Sequence, residues 1–599
     1  MRFKIKKRDN VSRLAEISSN DKRIITPNVF FIDTDRVSAP DFSELIYTNK
    51  KNINSEKLGL RINDRDFNDL SEKGLKISNL YDIYKPTLSF ESEEIEINSI
   101  NENDDLGENN DFFYIIQNSV QLYRKPRSFT DFIIKLKEKF GSEKTFFLPG
   151  VARTNNLSLL SYMGLDLFDT SSLILDARDK IMQFDYGSFS IDNLKFNPCS
   201  CPVCSNLNKK TSEMDFNEIL SHNYFVFLNE LNNVRNNIIN SNIRNLVELR
   251  CKSDPLNLSI LRNLDINYYD FFERFSPIRA DNTIYANSKE SYLRPEIIRF
   301  QRRVIHRLKK PSSSKILLLL PCSARKPYSF SKSHRFFRNV LLSSVNPHTV
   351  HEIIITSPIG IVPRELELVY PASSYDISVT GLWDEDERLF IRNLLSDFLK
   401  NNSYDMIISH LPDNIMVFLK DLLKNAKKTC IDSPTSDISL KSLSKTLDES
   451  VGCFDKVNFR NRAWEDMLNF ACFQFGRPAA EVLLKDAVIK GKYPFLKLMQ
   501  GNVQLGMIVP DRGFISLTIN GAKRIADLKE KYVKVSDDFE LVGSIFAPGV
   551  IDSDEKIRIG DEVFIFQKNE FFGVGIALMN GEDMKNCSYG EAVKIRHHI

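Results

Sequence analysis

Thr145-Phe-Phe-Leu-Pro-Gly150, Leu157-Ser-Leu-Leu-Ser-Tyr-Met163 and Gly164-Leu-Asp-Leu-Phe-Asp169 follow one another within residues 145–169. The first is a short apolar run stopped by Pro and Gly, the second has helical spacing, and the third is again an apolar run. Strand, helix, strand at this spacing predicts an α/β architecture with parallel strands. Asp169, just after the second strand, falls where functional residues of such folds collect.

The same rhythm returns downstream. Lys310-Pro-Ser-Ser-Ser314 breaks the chain before the buried-looking strand Ile316-Leu-Leu-Leu-Leu320. Strands at 352–356 and 406–409, with a helical pattern at 387–400, make a second α/β domain, which the polar stretch 432–445 closes. The last part, from about residue 457, opens on a helical segment, 464–491, and continues as short strands. Near its end, Gly560-Asp-Glu-Val-Phe-Ile-Phe566 and the run 571–579 flank a Lys-Asn-Glu turn and predict a β-hairpin.

A chain of 599 residues suggests about three to five domains. With 42% hydrophobic and 27% charged residues it has the composition of a soluble globular protein. No apolar run approaches the roughly 20 residues of a membrane span. The basic first ten residues lead into no apolar stretch, so no secretory signal is expected. Nine cysteines are too few for a disulfide framework at this length. These features together predict a cytoplasmic protein with no membrane partner.

The formal net charge of +2 averages over two opposed segments. Residues 91–111 hold nine acidic side chains and no basic one, and read as a solvated loop. Residues 294–345 hold thirteen Lys or Arg against one Glu, a local +12. Cationic density of that order suits a nucleic-acid backbone.

Two clusters carry chemistry. Cys199-Ser-Cys201-Pro-Val-Cys204, with His222 on a helical pattern after it, supplies three thiolates and an imidazole. That set satisfies tetrahedral Zn²⁺ with no vacant position for water, which makes the site structural. The second, Pro321-Cys-Ser-Ala-Arg-Lys-Pro-Tyr-Ser-Phe-Ser-Lys-Ser-His334, follows a buried strand and precedes a helix at 335–342. Its side chains are expected at the carboxyl end of a parallel sheet. Beside Arg325 and Lys326, near a helix start, the Cys322 thiol has the setting of a low-pKa nucleophile, and His334 that of a proton shuttle. The alternative is a buried core thiol among residues that bind phosphate.

The Cys-x-Cys-x-x-Cys run and the His222-Asn helix resemble the zinc site of tRNA-guanine transglycosylases, and the segment 164–169 resembles the stretch around that family's nucleophilic aspartate, the position Asp169 holds. The resemblance covers roughly the first half of the chain and implies a modified TIM barrel. The family's second aspartate lies in an Asp-Ser-Gly-Gly-type loop. The N-terminal region offers only Phe31-Ile-Asp-Thr-Asp-Arg36, without the glycines, and the usual proline after Asp169 is absent. A barrel retained to hold tRNA fits these departures better than base exchange.

Pro321-Cys-Ser-x-x-Lys-Pro-Tyr-x-x-Ser-x-Ser-His334 resembles the signature of the archaeosine synthases, paralogues of the archaeal transglycosylases. The similarity runs on through Thr356-Ser-Pro-Ile-Gly-Ile-Val-Pro-Arg-Glu-Leu366, Tyr370-Pro-Ala, Tyr375-Asp376 and Thr380-Gly-Leu-Trp383. It implies addition of an amine, lysine above all, to the nitrile of 7-cyano-7-deazaguanine at position 15 of tRNA, with a radical-SAM partner cleaving the adduct. Cys322, Lys326 and His334 are then the expected catalytic residues: thiolate, polarising cation and acid. Ser323, Tyr328, Ser331 and Ser333 surround them, and Asp376 and Glu385 are weaker candidates for the donor amine. Residues 531–599 resemble a PUA domain, an RNA-binding β-barrel, in which Gly573 and Gly575 would let RNA approach the backbone. With eight basic and twelve acidic residues there, its RNA grip rests on shape and a local patch. Residues 464–491 resemble the small connecting domain of archaeal transglycosylases.

The expected organisation is therefore α/β multidomain: a degenerate zinc-bearing TIM-like barrel (1–305), a catalytic α/β domain (306–450), a small α+β connecting domain (451–530) and a C-terminal PUA β-barrel (531–599). Expected RNA contacts are Arg325, Lys332, Arg335, Gly573, Gly575 and Arg596, with the D-arm region of tRNA as partner. The expected cofactor is structural Zn²⁺. Two rival functions stay open, a transglycosylase inserting the free base and a non-catalytic tRNA-binding scaffold. Homo-oligomerisation is open as well. No P-loop and no radical-SAM cysteine cluster occurs.

Overall fold

The computed structural model describes every residue except 1, 20–21, 49–57, 62–86, 91–92, 97, 103–112, 380 and 540–542. The chain divides into two compact units. One is Met1–Ser276 with Lys585–Gly590, the other Pro277–Met584 with Glu591–Ile599.

The first unit begins with an antiparallel sheet of Arg2–Asp9, Ser12–Ser19 and Lys22–Thr26. Its Arg13 forms a buried two-pronged ion pair with Asp166, at 2.8 and 2.6 Å. Seven parallel strands follow: Asn28–Asp33, Leu45–Thr48, Leu58–Arg61, Asn98–Ile100, Phe113–Ile116, Thr145–Phe147 and Leu167–Asp169. Each pairs with the next, apart from a break after Leu58–Arg61, and the last returns to pair with the first. That circular order is the signature of a barrel. At the break stands the antiparallel pair Thr87–Phe90 and Glu93–Glu96, and the described residues leave the seam beyond it open. Phe30, Ile115 and Phe147, which the register puts on one face of the sheet, are fully buried, and so is Phe168 on the opposite face. Strand, helix and strand arise at Thr145–Phe147, Leu157–Tyr162 and Leu167–Asp169, where the pattern predicts them.

The acidic stretch corrects one expectation. It is not all loop, because Glu93–Glu96 and Asn98–Ile100 are strands. Glu94-Ile-Glu-Ile97 alternates with period two, a strand signal that the charge count obscures. Most of the remaining stretch, 103–111 included, lies outside the described residues.

The second unit contains a five-stranded sheet ordered Gly360–Pro363, Val350–Thr356, Ile316–Pro321, Met406–Ser409, Lys427–Lys428; only the Gly360–Pro363 pairing is antiparallel. In the central strand, Ile316 through Leu320 are wholly buried, since helices cover both faces. Helices Pro295–Arg307 and Glu385–Asn401 bring Ile297, Phe300, Ile391 and Phe398 into the core of Leu317, Leu319, Ile353 and Ile355. Lys332–Ser343 and Asp437–Val451 bring Phe337, Leu341, Leu443 and Leu447 onto Ile316, Leu318 and Leu320. The polar stretch 432–445 is thus helical from Asp437 onward. Ser436 caps it by accepting the Ser439 N–H, and its buried leucines recur at four-residue spacing among polar neighbours.

Two helices, Phe459–Phe475 and Arg477–Leu484, then lead into an antiparallel meander, Val488–Lys492, Phe495–Gln500, Val503–Val509 and Phe514–Leu517. The predicted helical segment therefore stops at Leu484, and Val488-Ile-Lys-Gly-Lys492 is a strand. Gly491 at its turn has φ +104°, and a Cβ there would lie 2.4 Å from the Phe495 carbonyl oxygen. The C-terminal sheet has six strands, in the order Ser544–Phe546, Glu591–His598, Glu570–Ala577, Glu562–Gln567, Tyr532–Val535, Val550–Ser553. The predicted hairpin is Glu562–Gln567 with Glu570–Ala577. Among the described residues no helix is long and apolar enough to cross a membrane.

Candidate metal centre and candidate active site

In the first unit, the ligand atoms of Cys199, Cys201, Cys204 and His222 lie within 4.8 Å of one another. The cysteines occupy the turn before and within a short helix, Pro202–Ser205. His222 stands in the second turn of Phe216–Ile239, a helix started by a reciprocal capping box between Asp215 and Glu218. Its Nδ1 is 3.3 Å from the Cys204 Sγ and 3.6 Å from the Cys201 Sγ. Its Nε2 is 3.0 Å from the Gln183 carbonyl oxygen, which can only accept. The proton therefore sits on Nε2, and the Nδ1 lone pair faces the thiols. Asn223 accepts the Gln183 N–H at 2.8 Å, so two adjacent helix residues hold the backbone of Gln183 from both of its peptide groups. A backbone-oriented imidazole among three thiols is the donor set of a closed metal site. The Cys201 N–H donates to the Cys199 sulfur at 3.3 Å, a bond suited to a thiolate.

Asp169 is completely buried. One carboxylate oxygen accepts the Gly150 and Ser171 N–H groups, at 2.8 and 3.3 Å, and the other accepts the Ser171 hydroxyl at 2.7 Å. Both oxygens are engaged in holding the barrel's strand ends. The segment with the candidate second aspartate ends the neighbouring strand, where Asp33 accepts the Ala39 N–H at 3.2 Å.

In the second unit, the central strand Ile316–Pro321 has one parallel neighbour reached directly by the following helix and the other reached only later in the chain. The crevice beyond the carboxyl end of such a strand is where open α/β sheets bind ligands. The chain enters it at Cys322, whose N–H still continues the ladder to the Ile355 carbonyl, at 3.2 Å. Thr356, ending the adjacent strand, pulls the Cys322 thiol pKa down and bonds its own hydroxyl to that of Tyr375. Tyr375 and the fully buried Tyr328 join hydroxyls at 2.6 Å. Lys326 places its ammonium 3.9 Å from the centroid of the Tyr375 ring. Cys322, Lys326, Tyr328, Thr356 and Tyr375 thus form one contiguous group. Thr356 and Tyr375 lie inside the stretches of similarity, yet no role is legible for them without the fold.

Electrostatics revise the expected roles. Burial pushes the Cys322 thiol up, against smaller downward pulls from Thr356 and Lys326, so the basic neighbours do not make it a low-pKa thiol. Burial lowers the Lys326 ammonium, with Cys322 and Asp376 opposing. His334 is 1% exposed and drawn down to about 2, chiefly by burial and then by the Arg364 charge. Its Nε2 lies 3.0 Å from the Pro321 carbonyl and its Nδ1 2.8 Å from an Arg364 nitrogen. A neutral ring bonded at both nitrogens is placed to hold the loop, with its Nε2–H committed to the Pro321 carbonyl.

The remaining expected residues fall in several places. Ser331 caps the helix Lys332–Ser343, accepting the His334 N–H at 3.2 Å, and Ser333 meets the Ser331 hydroxyl at 3.3 Å. Ser323 donates to the Arg325 carbonyl at 3.0 Å. Arg325, Lys332 and Arg335 are exposed along the loop and first helical turn. Asp376 is exposed and accepts its neighbour Ile377's N–H, and Glu385 opens the helix Glu385–Asn401. Arg596 turns inward to Glu562 at 2.6 Å, Ser516 and the Leu517 carbonyl. A Cβ on Gly573 would lie 2.5 Å from the His597 carbonyl oxygen, and one on Gly575 2.7 Å from that of Lys594. The space these glycines free is filled by the neighbouring strand.

Comparison with known proteins agrees with this anatomy. Residues 73–255 match the family described as queuine tRNA-ribosyltransferase, residues 297–447 a domain of unknown function, and residues 538–599 the PUA domain. The archaeosine synthase subunit alpha of Methanosarcina acetivorans is 35% identical over 503 residues, covering 81% of this chain and 79% of the relative. The archaeosine synthase of Haloferax volcanii is 35% identical over 494 residues, 81% and 82% of the two chains. A tRNA-guanine(15) transglycosylase of Methanothermobacter thermautotrophicus is 28% identical over 489 residues, 78% and 68%. With a degenerate transglycosylase-type barrel, a PUA domain and a signature-bearing α/β domain between them, the chain belongs to the archaeosine synthase family.

Proposed function

We propose that this chain modifies tRNA on the route to archaeosine, adding an amine, lysine above all, to the nitrile of 7-cyano-7-deazaguanine at position 15. The observation that carries the reading is the joined Cys322–Thr356–Tyr375–Lys326 group at the carboxyl end of the central strand.

A nitrile carbon is a weak electrophile, and attack on it must be matched by proton delivery to nitrogen. In this reading the Cys322 S–H adds across the C≡N bond. A carbon–sulfur bond forms, the nitrogen gains a proton, and a thioimidate results. The donor amine then adds to the same carbon, the carbon–sulfur bond breaks, and the sulfur leaves with a proton, giving the amidine. Nothing is oxidised or reduced. Lys326 passes the proton: its ammonium, lowered by burial, gives a proton to the nitrile nitrogen and takes one from the thiol. The acid expected at His334 is thereby reassigned to Lys326.

The four-ligand cluster takes Zn²⁺ in this reading, because thiolates with imidazole favour that ion and the set is closed. Arg325, Lys332 and Arg335 meet tRNA phosphates, and the PUA domain contributes binding by shape. The relative named subunit alpha suggests a partner subunit for the later radical step.

The test is to supply tRNA bearing the nitrile base with isotopically labelled lysine and follow the nucleoside by mass. A lysine adduct is expected. Release or exchange of the base would establish the transglycosylase instead, and an unchanged nucleoside would leave a binding scaffold.

A further inference from the structure

His334 is bonded at both ring nitrogens. Its Nε2–H donates to the carbonyl of Pro321, the residue directly before Cys322. Its Nδ1 accepts from Arg364, and a guanidinium can only donate, so the two partners dictate one neutral tautomer. Arg364 is in turn clamped between two carboxylates. Glu352 accepts its Nε and Nη2 at 3.1 and 2.7 Å, and Glu367 accepts its Nη1 at 2.9 Å. The second Glu367 carboxylate contact is the Ser329 N–H, at 2.9 Å, inside the signature loop, and Tyr493 donates its hydroxyl to the other oxygen. One buried triad therefore fixes the signature loop at Pro321 and at Ser329, on both sides of Lys326.

We infer that Arg364 is a positioning residue for Cys322: by setting the His334 tautomer it aims the Pro321 carbonyl, and with it the thiol that follows. Glu352 and Glu367 hold the guanidinium, and Tyr493 holds Glu367. Arg364, Glu352 and Glu367 are not part of the Pro321–His334 motif, and none touches the thiol. The inference rests on the proposed role of Cys322 only for its consequence in turnover, while its structural content stands apart from that role. The charged and titratable groups that act on the ring or its partners are Arg364, with Glu352 and Glu367 holding it, and Tyr328, whose ring centroid lies 5.3 Å away and which Cys322 acts on in turn. On the ring's own helix Arg338 acts on Glu352, and across Phe337 stands His410.

The experiment uses the full chain labelled with ¹⁵N-histidine. In the parent protein the His334 signals are expected to report neutral Nε2–H imidazole from pH 5 to 8. In Arg364→Met the ring is expected to titrate or change tautomer within that range, and Arg364→Lys, which keeps one donor, is expected to retain Nε2–H. Iodoacetamide labelling of Cys322, read by peptide mass, should change several-fold in Arg364→Met and less in Arg364→Lys. Adduct formation should lose kcat on the order of 10²-fold, the cost of a misaimed reacting group, with KM for tRNA unchanged. A parent His334 that titrates near 6.5, or an Arg364→Met protein whose His334 tautomer and Cys322 labelling match the parent's, would overturn the inference. If Arg364→Met does not fold, Arg364→Gln takes its place in the same two readouts. Loss of the adduct reading itself would leave the tautomer and labelling results intact.

Discussion

The Lys326 ammonium lies 3.9 Å from the centroid of the Tyr375 ring, whose hydroxyl is bonded to Thr356, the residue that also lowers the Cys322 thiol pKa. Cation, aromatic ring, hydroxyl and thiol thus stand in one run of neighbours.

Replacing Lys326 with Met should reduce adduct formation on the order of 10²–10⁴-fold, the usual worth of positioned proton transfer. The protein should stay folded, since a methionine stem keeps the contact with the Tyr375 ring. Cys322→Ser should abolish the adduct while tRNA affinity is retained. Mass measurement of the nucleoside, with tRNA binding assayed in parallel, checks both, and undiminished turnover in the serine variant would remove Cys322 as nucleophile.

The pH profile follows from the two shifts. The Cys322 thiol is raised by burial and partly offset by Lys326. Turnover should therefore climb with pH through neutrality and above, as the thiol becomes easier to ionise, and fall once Lys326 loses its proton, which its lowered pKa brings below the usual lysine range. In Lys326→Arg the rising limb should persist while the falling limb moves out of range, because a guanidinium does not deprotonate. Rates of Cys322 alkylation against pH give the first limb independently of turnover.

His334 makes the fold acid-sensitive. Its folded-state pKa, about 2, lies below the ordinary value of 6.5, so below about pH 6.5 the unfolded chain takes up a proton that the folded chain refuses. Stability from this group is complete above pH 6.5 and is lost as pH falls toward 2, by up to about 1.4 kcal/mol per pH unit. Urea unfolding at pH 7 and pH 5 should show the loss, and His334→Gln should flatten it while costing stability at pH 7.

The proposed zinc site should brace the first unit. A chelator, or Cys204→Ser, should lower the melting temperature and release one zinc per chain, measured by elemental analysis. The helix Phe216–Ile239 should lose protection near His222, in hydrogen exchange, before its far end does.

Gly573→Ala separates packing from RNA contact. With the His597 carbonyl oxygen 2.5 Å from the new Cβ, the C-terminal sheet should lose about 1–3 kcal/mol in the absence of any RNA. Unaltered stability with weakened tRNA binding would instead assign the glycine to the RNA surface.

The sequence makes legible what is local. The strand–helix–strand rhythm near Thr145 survives as elements because each run is short, apolar and stopped by its own breaker. The metal cluster is equally plain, since three of its four ligands lie within six residues. Regions read by charge alone fared worse. The Glu–Ile alternation at 94–97 and the leucines at 440, 443 and 447 carry period information that the count of acidic or polar residues conceals. The site was legible as a set of positions and illegible as a set of states. Cys322 and His334 look activated when only neighbours in sequence are considered, while burial, a property of the whole domain, raises the thiol and lowers the imidazole. Arg364 lies inside a stretch of similarity and Glu367 stands three positions after it, but Glu352, His334, Ser329 and Tyr493 are 12 to 126 positions from the partners they hold, so no local pattern reveals the network.

The phenol pair Tyr328–Tyr375 has a chemical consequence of its own. Their hydroxyls spend their hydrogen bonds on each other and on Thr356, inside a fully buried wall. A wall so satisfied offers little purchase for ordered water beside the thiol. For the proposed route through a thioimidate, whose ordinary fate in water is hydrolysis, a wall whose hydroxyls are already paired would favour aminolysis.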